Sequence, residues 1–145
     1  MERKEFKKII NECLLLNNFT KRGSYYFKDS AEIICSIGLQ KSNYSNCYYI
    51  NMGIVIKEIN KDLIMPRDVD GDIRCRFTYE LNGEEVDCFD LDKIERCEVV
   101  SVIDKGISEI INIALEKGLI ELLRRHPMLL YSTTIKGRQY LGLEK

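Results

Sequence analysis

The strongest constraint in this chain is a pair of alternating apolar runs, Glu32–Lys41 and Cys47–Lys57, flanking the turn-forming string Ser42-Asn43-Tyr44-Ser45-Asn46. In the first run Ile33, Cys35, Ile37 and Leu39 fall on one side of an extended chain. Ile34, Ser36, Gly38 and Gln40 fall on the other. In the second run Tyr48, Ile50, Met52, Ile54 and Ile56 share a side, opposite Cys47, Tyr49, Asn51, Gly53 and Val55. A period of two predicts strands. Folding the runs as an antiparallel hairpin about Tyr44-Ser45 sets Leu39 opposite Ile50, Ile37 opposite Met52 and Cys35 opposite Ile54. The same register sets Gln40 opposite Tyr49 and Gly38 opposite Asn51. A slip of one residue would move every apolar side chain to the wrong face, so the pattern strongly selects this register.

Helical periods bracket the strands. Phe6, Ile9, Ile10, Cys13 and Leu14 make one apolar face of a helix predicted to end near Asn17-Asn18. Lys21-Arg22-Gly23 reads as a turn before a strand at Ser24–Lys28. Asn60–Asp72, with Pro66, Gly71 and several charges, reads as an exposed connection. A further strand is predicted over Ile73–Leu81, with Ile73, Cys75, Phe77 and Tyr79 inward and Arg74, Arg76 and Thr78 outward. Asn82-Gly83 is a hairpin turn that pairs Tyr79 with Val86 and Phe77 with Cys88. Beyond it, Val99, Ile103, Ile107, Ile110, Ile111 and Ala114 keep a helical period. Gly118 interrupts or ends that helix, Pro127 stops its continuation, and Thr133 or Thr134 can cap a last short helix through Tyr140. The order implies an α+β fold: an antiparallel sheet of about five strands, with N-terminal and C-terminal helices packed on one face. The 145 residues suit a single α+β domain, 1–145, able to bury a core without staples.

Composition narrows the function classes. Lys and Arg number 22 against 23 Asp and Glu, a balance that argues against a protein that coats nucleic acid. No apolar run approaches the ~20 residues of a membrane span. Met1–Lys8 is charged and has no signal-peptide core, so the chain is expected in the cytoplasm. Its 6 cysteines lack C-x-x-C spacing and there is 1 histidine, so no metal site and no cofactor are expected. The cysteines are read as buried free thiols.

The second sheet face is the candidate site. Gly38 and Gly53 remove bulk in mid-strand, which marks close approach by a ligand or another backbone. Ser36, Gln40, Tyr49, Asn51, Arg74 and Arg76 supply donors, acceptors and positive charge around them, a set fitted to an anionic or peptide-like ligand. The competing explanation is a solvated face on which Arg74 or Arg76 meets Glu85 or Asp87 of the neighbouring strand. No catalytic residue emerges. The acidic run from Glu84 to Glu98 has no nucleophile or base beside it, and Asp68–Asp72 fails the register of a calcium loop.

Gly38-Leu-Gln-Lys-Ser42 followed by Tyr49-Ile-Asn-Met-Gly-Ile54 resembles a bacterial family described as domain of unknown function 4304. Phe19-Thr-Lys-Arg-Gly23 and Asp72-Ile-Arg-Cys-Arg76 extend the likeness over roughly Phe6 to Leu91. The resemblance implies a bacterial protein and supplies no activity. Separately, Tyr131–Tyr140 is similar to the closing segment of winged-helix regulators. With Arg124, Arg125, His126, Lys136 and Arg138 it forms a basic segment that can meet phosphates. Small size, a polar sheet face and no visible catalytic set lead to an interaction domain with a protein partner, such as an immunity protein against a bacterial toxin. A protein or enzyme for small anionic ligands is the alternative, and nucleic-acid binding a more distant one.

Overall fold

The computed structural model describes residues 1–143. Helix α1, Arg3–Leu16, buries Phe6, Ile9, Ile10, Cys13 and Leu14, the predicted stripe. It ends where Asn17 Nδ2 donates back to the Cys13 carbonyl at 2.7 Å and Asn18 turns left-handed at φ 66°. Lys21 and Arg22, read as part of a turn, are instead strand: β1, Thr20–Arg22, pairs with β2, Tyr25–Asp29. The reversal sits at Gly23, whose φ of 61° suits a residue without Cβ.

The sheet continues through β3, Ile33–Lys41, β4, Cys47–Ile56, and β5, Ile73–Arg76, in the order β1-β2-β3-β4-β5. Every pairing is antiparallel, and the β3–β4 register is the predicted one, Leu39 to Ile50 and Gln40 to Tyr49 included. The strand predicted over Ile73–Leu81 breaks at Phe77-Thr78. Phe77 is buried and its N–H still reaches the Ile50 carbonyl at 3.0 Å, but the chain then turns off the sheet. β6, Tyr79–Leu81, and β7, Glu84–Val86, form a separate hairpin with Tyr79 opposite Val86. That ladder stops before Phe77 and Cys88. β8, Phe89–Asp90, returns to pair with the start of β4, which gives the main sheet six strands.

Helices cover one face of this sheet. The Phe6 ring lies 5.3 Å from that of Tyr48 and 6.1 Å from that of Phe89, which fixes α1 on the side holding Ile50, Met52 and Ile54. Each such apolar side chain contributes roughly 1.5–3 kcal/mol on full burial. α2, Arg96–Gly106, begins with a capping box in which Glu98 accepts the Glu95 N–H at 3.1 Å. At its end Gly106 faces the Phe77 ring so closely that an added Cβ would stand 2.3 Å from Cε2. One π turn, Ile107–Ile111, leads into α3, Asn112–Lys117. The extra residue in that turn re-phases the apolar stripe. After Gly118 come α4, Leu119–Arg125, a 3-10 segment Pro127–Ser132, and α5, Ile135–Tyr140. Thr134 caps α5 by accepting the Gly137 N–H at 3.1 Å.

The largest departure from expectation is the 57–72 connection. Much of it is exposed, as its composition suggests, Ile64, Met65 and Val69 included, but it does not hang free of the sheet. It straps across the second sheet face, with two short 3-10 turns, and buries Pro66, Asp68 and Asp72. The glycines of β3 and β4 make room for it. An added Cβ at Gly53 would stand 2.4 Å from the Asp68 carbonyl oxygen, and one at Gly38 would meet Asp68 Oδ1 at 3.0 Å. At Gly53 the close approach is by another backbone, and at Gly38 by side chains, the Tyr25 ring and the Asp68 carboxylate.

Asp72 fastens the strap and the C-terminal segment together. Its side chain is fully buried. Oδ2 accepts from the Ile56 N–H at 2.9 Å and from Asn60 Nδ2 at 2.8 Å, while Oδ1 accepts from Thr134 Oγ1 at 3.3 Å. Lys136 Nζ stands 3.9 Å from Oδ1 and donates to Asn60 Oδ1 at 2.6 Å. The Asp72 carbonyl also takes the Thr134 N–H at 2.7 Å. A residue read from sequence as the end of an exposed connection is thus the hub of a buried polar cluster.

Candidate functional site

The strap divides the second sheet face. Ser36, Gly38 and Gly53 are buried, and the Ser36 hydroxyl has no hydrogen-bond partner among the described residues. Ser36 therefore drops out of the ligand-facing set, because a solute cannot reach it without lifting the strap. Gln40, Tyr49, Asn51, Arg74 and Arg76 lie together beyond the strap's edge. The register places Gln40 opposite Tyr49, and Asn51 opposite Arg76 on its other side.

Four of these five are tied to one another. Asn51 Nδ2 donates to Gln40 Oε1 at 2.9 Å, and Asn51 Oδ1 accepts from Arg76 Nε at 2.9 Å. The Arg76 guanidinium lies over the Tyr49 ring, 4.0 Å from its centroid, and pairs through Nη1 with Asp87 Oδ2 at 3.0 Å. Stacking and ion pair are each worth at most about 1 kcal/mol at this exposure. Their value lies in holding Arg76 in one orientation. The cross-strand contact anticipated for a solvated face is present at Arg76, whereas Glu85 instead accepts from Thr78.

Arg74 is different. It is exposed, and its one side-chain hydrogen bond among the described residues runs from Nη1 to the Val69 carbonyl at 3.5 Å, with no carboxylate paired to it there. It stands at a cleft of about 990 Å³ between β5 and the end of α4 with the 3-10 segment after it. Met52, Cys75, Ile110 and Leu129 give that cleft an apolar floor. Arg125, His126 and Met128 form its far wall, and Glu85 and Asp87 part of its rim. The sequence marked Arg125 and His126 only as members of a C-terminal basic cluster. Their place here depends on the chain passing beside β5, where Thr133 bridges Ile73. No local pattern encodes that long-range contact.

The basic cluster itself is largely compensated. Arg124 and Arg125 share the Glu121 carboxylate, at 2.5 and 2.8 Å. Hydrogen bonds first from Arg124 and then from Arg125 pull the Glu121 carboxyl down to about 2. His126 caps α4, and its Nε2 lies 2.9 Å from the Glu109 carbonyl. A carbonyl only accepts, so Nε2 carries the hydrogen.

The thiols are less uniformly buried than expected. Cys13 and Cys35 are buried, Cys47, Cys75 and Cys88 half-buried, and Cys97 exposed, all of them free. Burial, with a smaller contribution from Cys75, pushes the Cys35 thiol to about 12. Burial and the adjacent Cys47 push Cys88 to about 11. Such thiols are poor nucleophiles. No group of three or more His, Cys, Asp or Glu side chains able to hold a metal ion occurs among the described residues. No helix among them is long and apolar enough to cross a membrane.

A family model described as domain of unknown function (DUF4304) matches residues 10–117, which runs from α1 through α3 and takes in the whole sheet. No curated protein and no solved structure matches the chain.

Proposed function

The chain belongs to the DUF4304 family, and from that footing we propose that it is a bacterial cytosolic binding domain that engages a protein partner through the cleft beside β5. The observation that carries this reading is Arg74, an exposed guanidinium with no carboxylate of its own, at the lip of a cleft with an apolar floor. A partner that brings a carboxylate and an apolar side chain would satisfy both features. The free thiols fit a reducing compartment. A role as antagonist of a bacterial toxin is one form of this function, and a toxin gene beside its own would favour it.

Citrate is a simple probe of the cationic lip. A ligand that binds only the folded state raises the melting temperature. Citrate is expected to do so for the wild type and to lose the effect in Arg74→Ala. An equal rise in both proteins would remove the cleft as the site.

A second reading, a protein for small anionic ligands, is supported by the row Gln40, Asn51 and Arg76, already held in place by mutual hydrogen bonds. An Arg74-dependent rise with ATP or inorganic phosphate at micromolar concentration, absent with acidic peptides, would select that reading.

A further inference from the structure

We infer that the cleft beside β5 recognises a zwitterion, with an ammonium held at Asp68 and a carboxylate at Arg74. The inference rests on the cleft reading above and adds the second charge that the occupant carries.

Asp68 is the group that the fold leaves unmatched. It is only 9% exposed, yet among the described residues its carboxylate accepts no hydrogen bond and pairs with no cation. Arg67, its neighbour in sequence, turns to Asp70 instead, at 3.7 Å. A carboxylate drawn out of water costs free energy unless a donor or a cation meets it, and buried polar groups are nearly always met.

Two glycines fix where that carboxylate lies. The Asp68 main chain runs over Gly53, and Oδ1 reaches over Gly38, 3.0 Å from where a Cβ would stand. Gly38 is opposite Asn51, and Asn51 is opposite Arg76. The carboxylate thus reaches the row of side chains that opens on the cleft, and Asp68 lines that cleft with Gln40, Asn51 and Arg74.

Arg74 holds the opposite charge on the far side of β4. It stands across from Gly53, and the Val69 carbonyl is its side chain's one partner among the described residues. No ion pair joins it to Asp68 there. β3 and β5 lie two strand spacings apart, about 10 Å. Between the two charges Asn51 is already bonded through both Nδ2 and Oδ1, and Arg76 is held by Asp87. The middle of the occupant therefore meets groups whose polar needs are filled, with exposed Val69 beside it, and an apolar chain suits it. An ammonium and a carboxylate at the two ends of a short methylene chain match this arrangement, as in 6-aminohexanoate. A lysine at the C-terminus of a partner chain carries the same two groups at the same separation.

Isothermal titration calorimetry of the full chain tests this with 6-aminohexanoate, hexanoate and hexylammonium, the last two lacking one charge each. The wild type should bind 6-aminohexanoate about tenfold tighter than either. Asp68→Asn should bring 6-aminohexanoate down to the level of hexanoate. The same variant should bind hexanoate no less tightly than the wild type does, which separates loss of the charge from loss of the fold. Arg74→Ala should bring 6-aminohexanoate down to the level of hexylammonium. Acetylated Ala-Ala-Lys with a free C-terminal carboxylate distinguishes the source. Binding at least as tight as that of 6-aminohexanoate assigns the cleft to the end of a partner chain, and weaker binding assigns it to a small zwitterion. Equal binding of hexanoate and 6-aminohexanoate to the wild type would overturn the zwitterion while leaving the anionic cleft in place. So would an advantage of the ammonium that survives Asp68→Asn, or silence of all three probes with an Arg74-dependent citrate response intact. Silence of citrate as well would overturn the cleft reading too.

Discussion

Asp72→Ala is the substitution with the largest expected effect on stability. The carboxylate it removes is fully buried and accepts from the Ile56 N–H, Asn60 Nδ2 and Thr134 Oγ1, with Lys136 Nζ at 3.9 Å. Alanine leaves the Ile56 N–H without an acceptor in a place water does not reach. An orphaned buried donor costs about 1–3 kcal/mol. Losing the carboxylate that Lys136 and Thr134 face raises the total to about 3 kcal/mol, toward the low end for breaking a buried charged pair whose cation is itself exposed. Unfolding entropy of about 2.1 cal/mol/K per residue gives a chain of this length about 0.3 kcal/mol/K at the midpoint, so the melting temperature should fall by about 10 °C. Asp72→Asn, which keeps an oxygen for Ile56, should fall by about half as much. Differential scanning calorimetry reads both, and hydrogen exchange should show the amides of residues 133–140 losing protection first. A melting temperature for Asp72→Ala within about 3 °C of wild type would refute the claim that this carboxylate joins strap, sheet and C-terminal segment.

Four further outcomes follow from the geometry. Gly53→Ala should destabilise by about 2 kcal/mol, because the new Cβ meets the Asp68 backbone; Gly38→Ala should cost less, because its nearest obstacle is the edge of the Tyr25 ring, which can move. Chemical denaturation compares the two, and the reverse order would refute the strap's placement. Ser36→Ala should leave stability unchanged or slightly raised, since it removes a buried hydroxyl with no partner, and it should leave the citrate response intact. Glu121, held down at about 2 by Arg124 and Arg125, contributes stability that is complete above its ordinary value of 4.5 and is lost as pH falls from there through about 2; Glu121→Gln should flatten the thermal stability curve across that window. A thiol reagent at neutral pH should label exposed Cys97 well before Cys35, whose thiol is pushed to about 12; mass spectrometry of the modified peptides gives the order.

Much of the sheet was legible because its information is local. The β3–β4 register follows from two alternating runs and a five-residue turn, and only one pairing keeps both faces consistent. α1 and the Thr134 cap are likewise written in short windows. Lys21-Arg22 misread as a turn because charged residues at an exposed edge strand carry no apolar alternation. The strand at Ile73 kept its pattern past Arg76, but Phe77 is drawn under Gly106, and the chain leaves the sheet to build the β6–β7 hairpin. The strap was hidden by its composition: Pro, Gly and charge read as loop, and it is a loop, but one laid over the sheet. In the candidate site, Gln40, Tyr49, Asn51 and Arg76 assembled as anticipated, and Ser36 did not, since what covers it comes from residues outside its own hairpin. The cleft's far wall arrives from the C-terminal segment through Ile73 and Thr133, a contact that no local period encodes.

The strap also has a kinetic meaning. β1 through β4 follow one another by short reversals, so their pairing closes small loops at low entropic cost. β5 reaches β4 only after the strap has crossed the sheet, and the Asp72 cluster forms only when the C-terminal segment has arrived as well. Strap, β5 and C-terminal segment should therefore assemble late and open early, as one unit, while the meander beneath them stays paired. The Arg74 lip of the cleft would then belong to the least rigid part of the molecule, and a ligand held there would slow exchange at Asp72 and Thr134 without touching either.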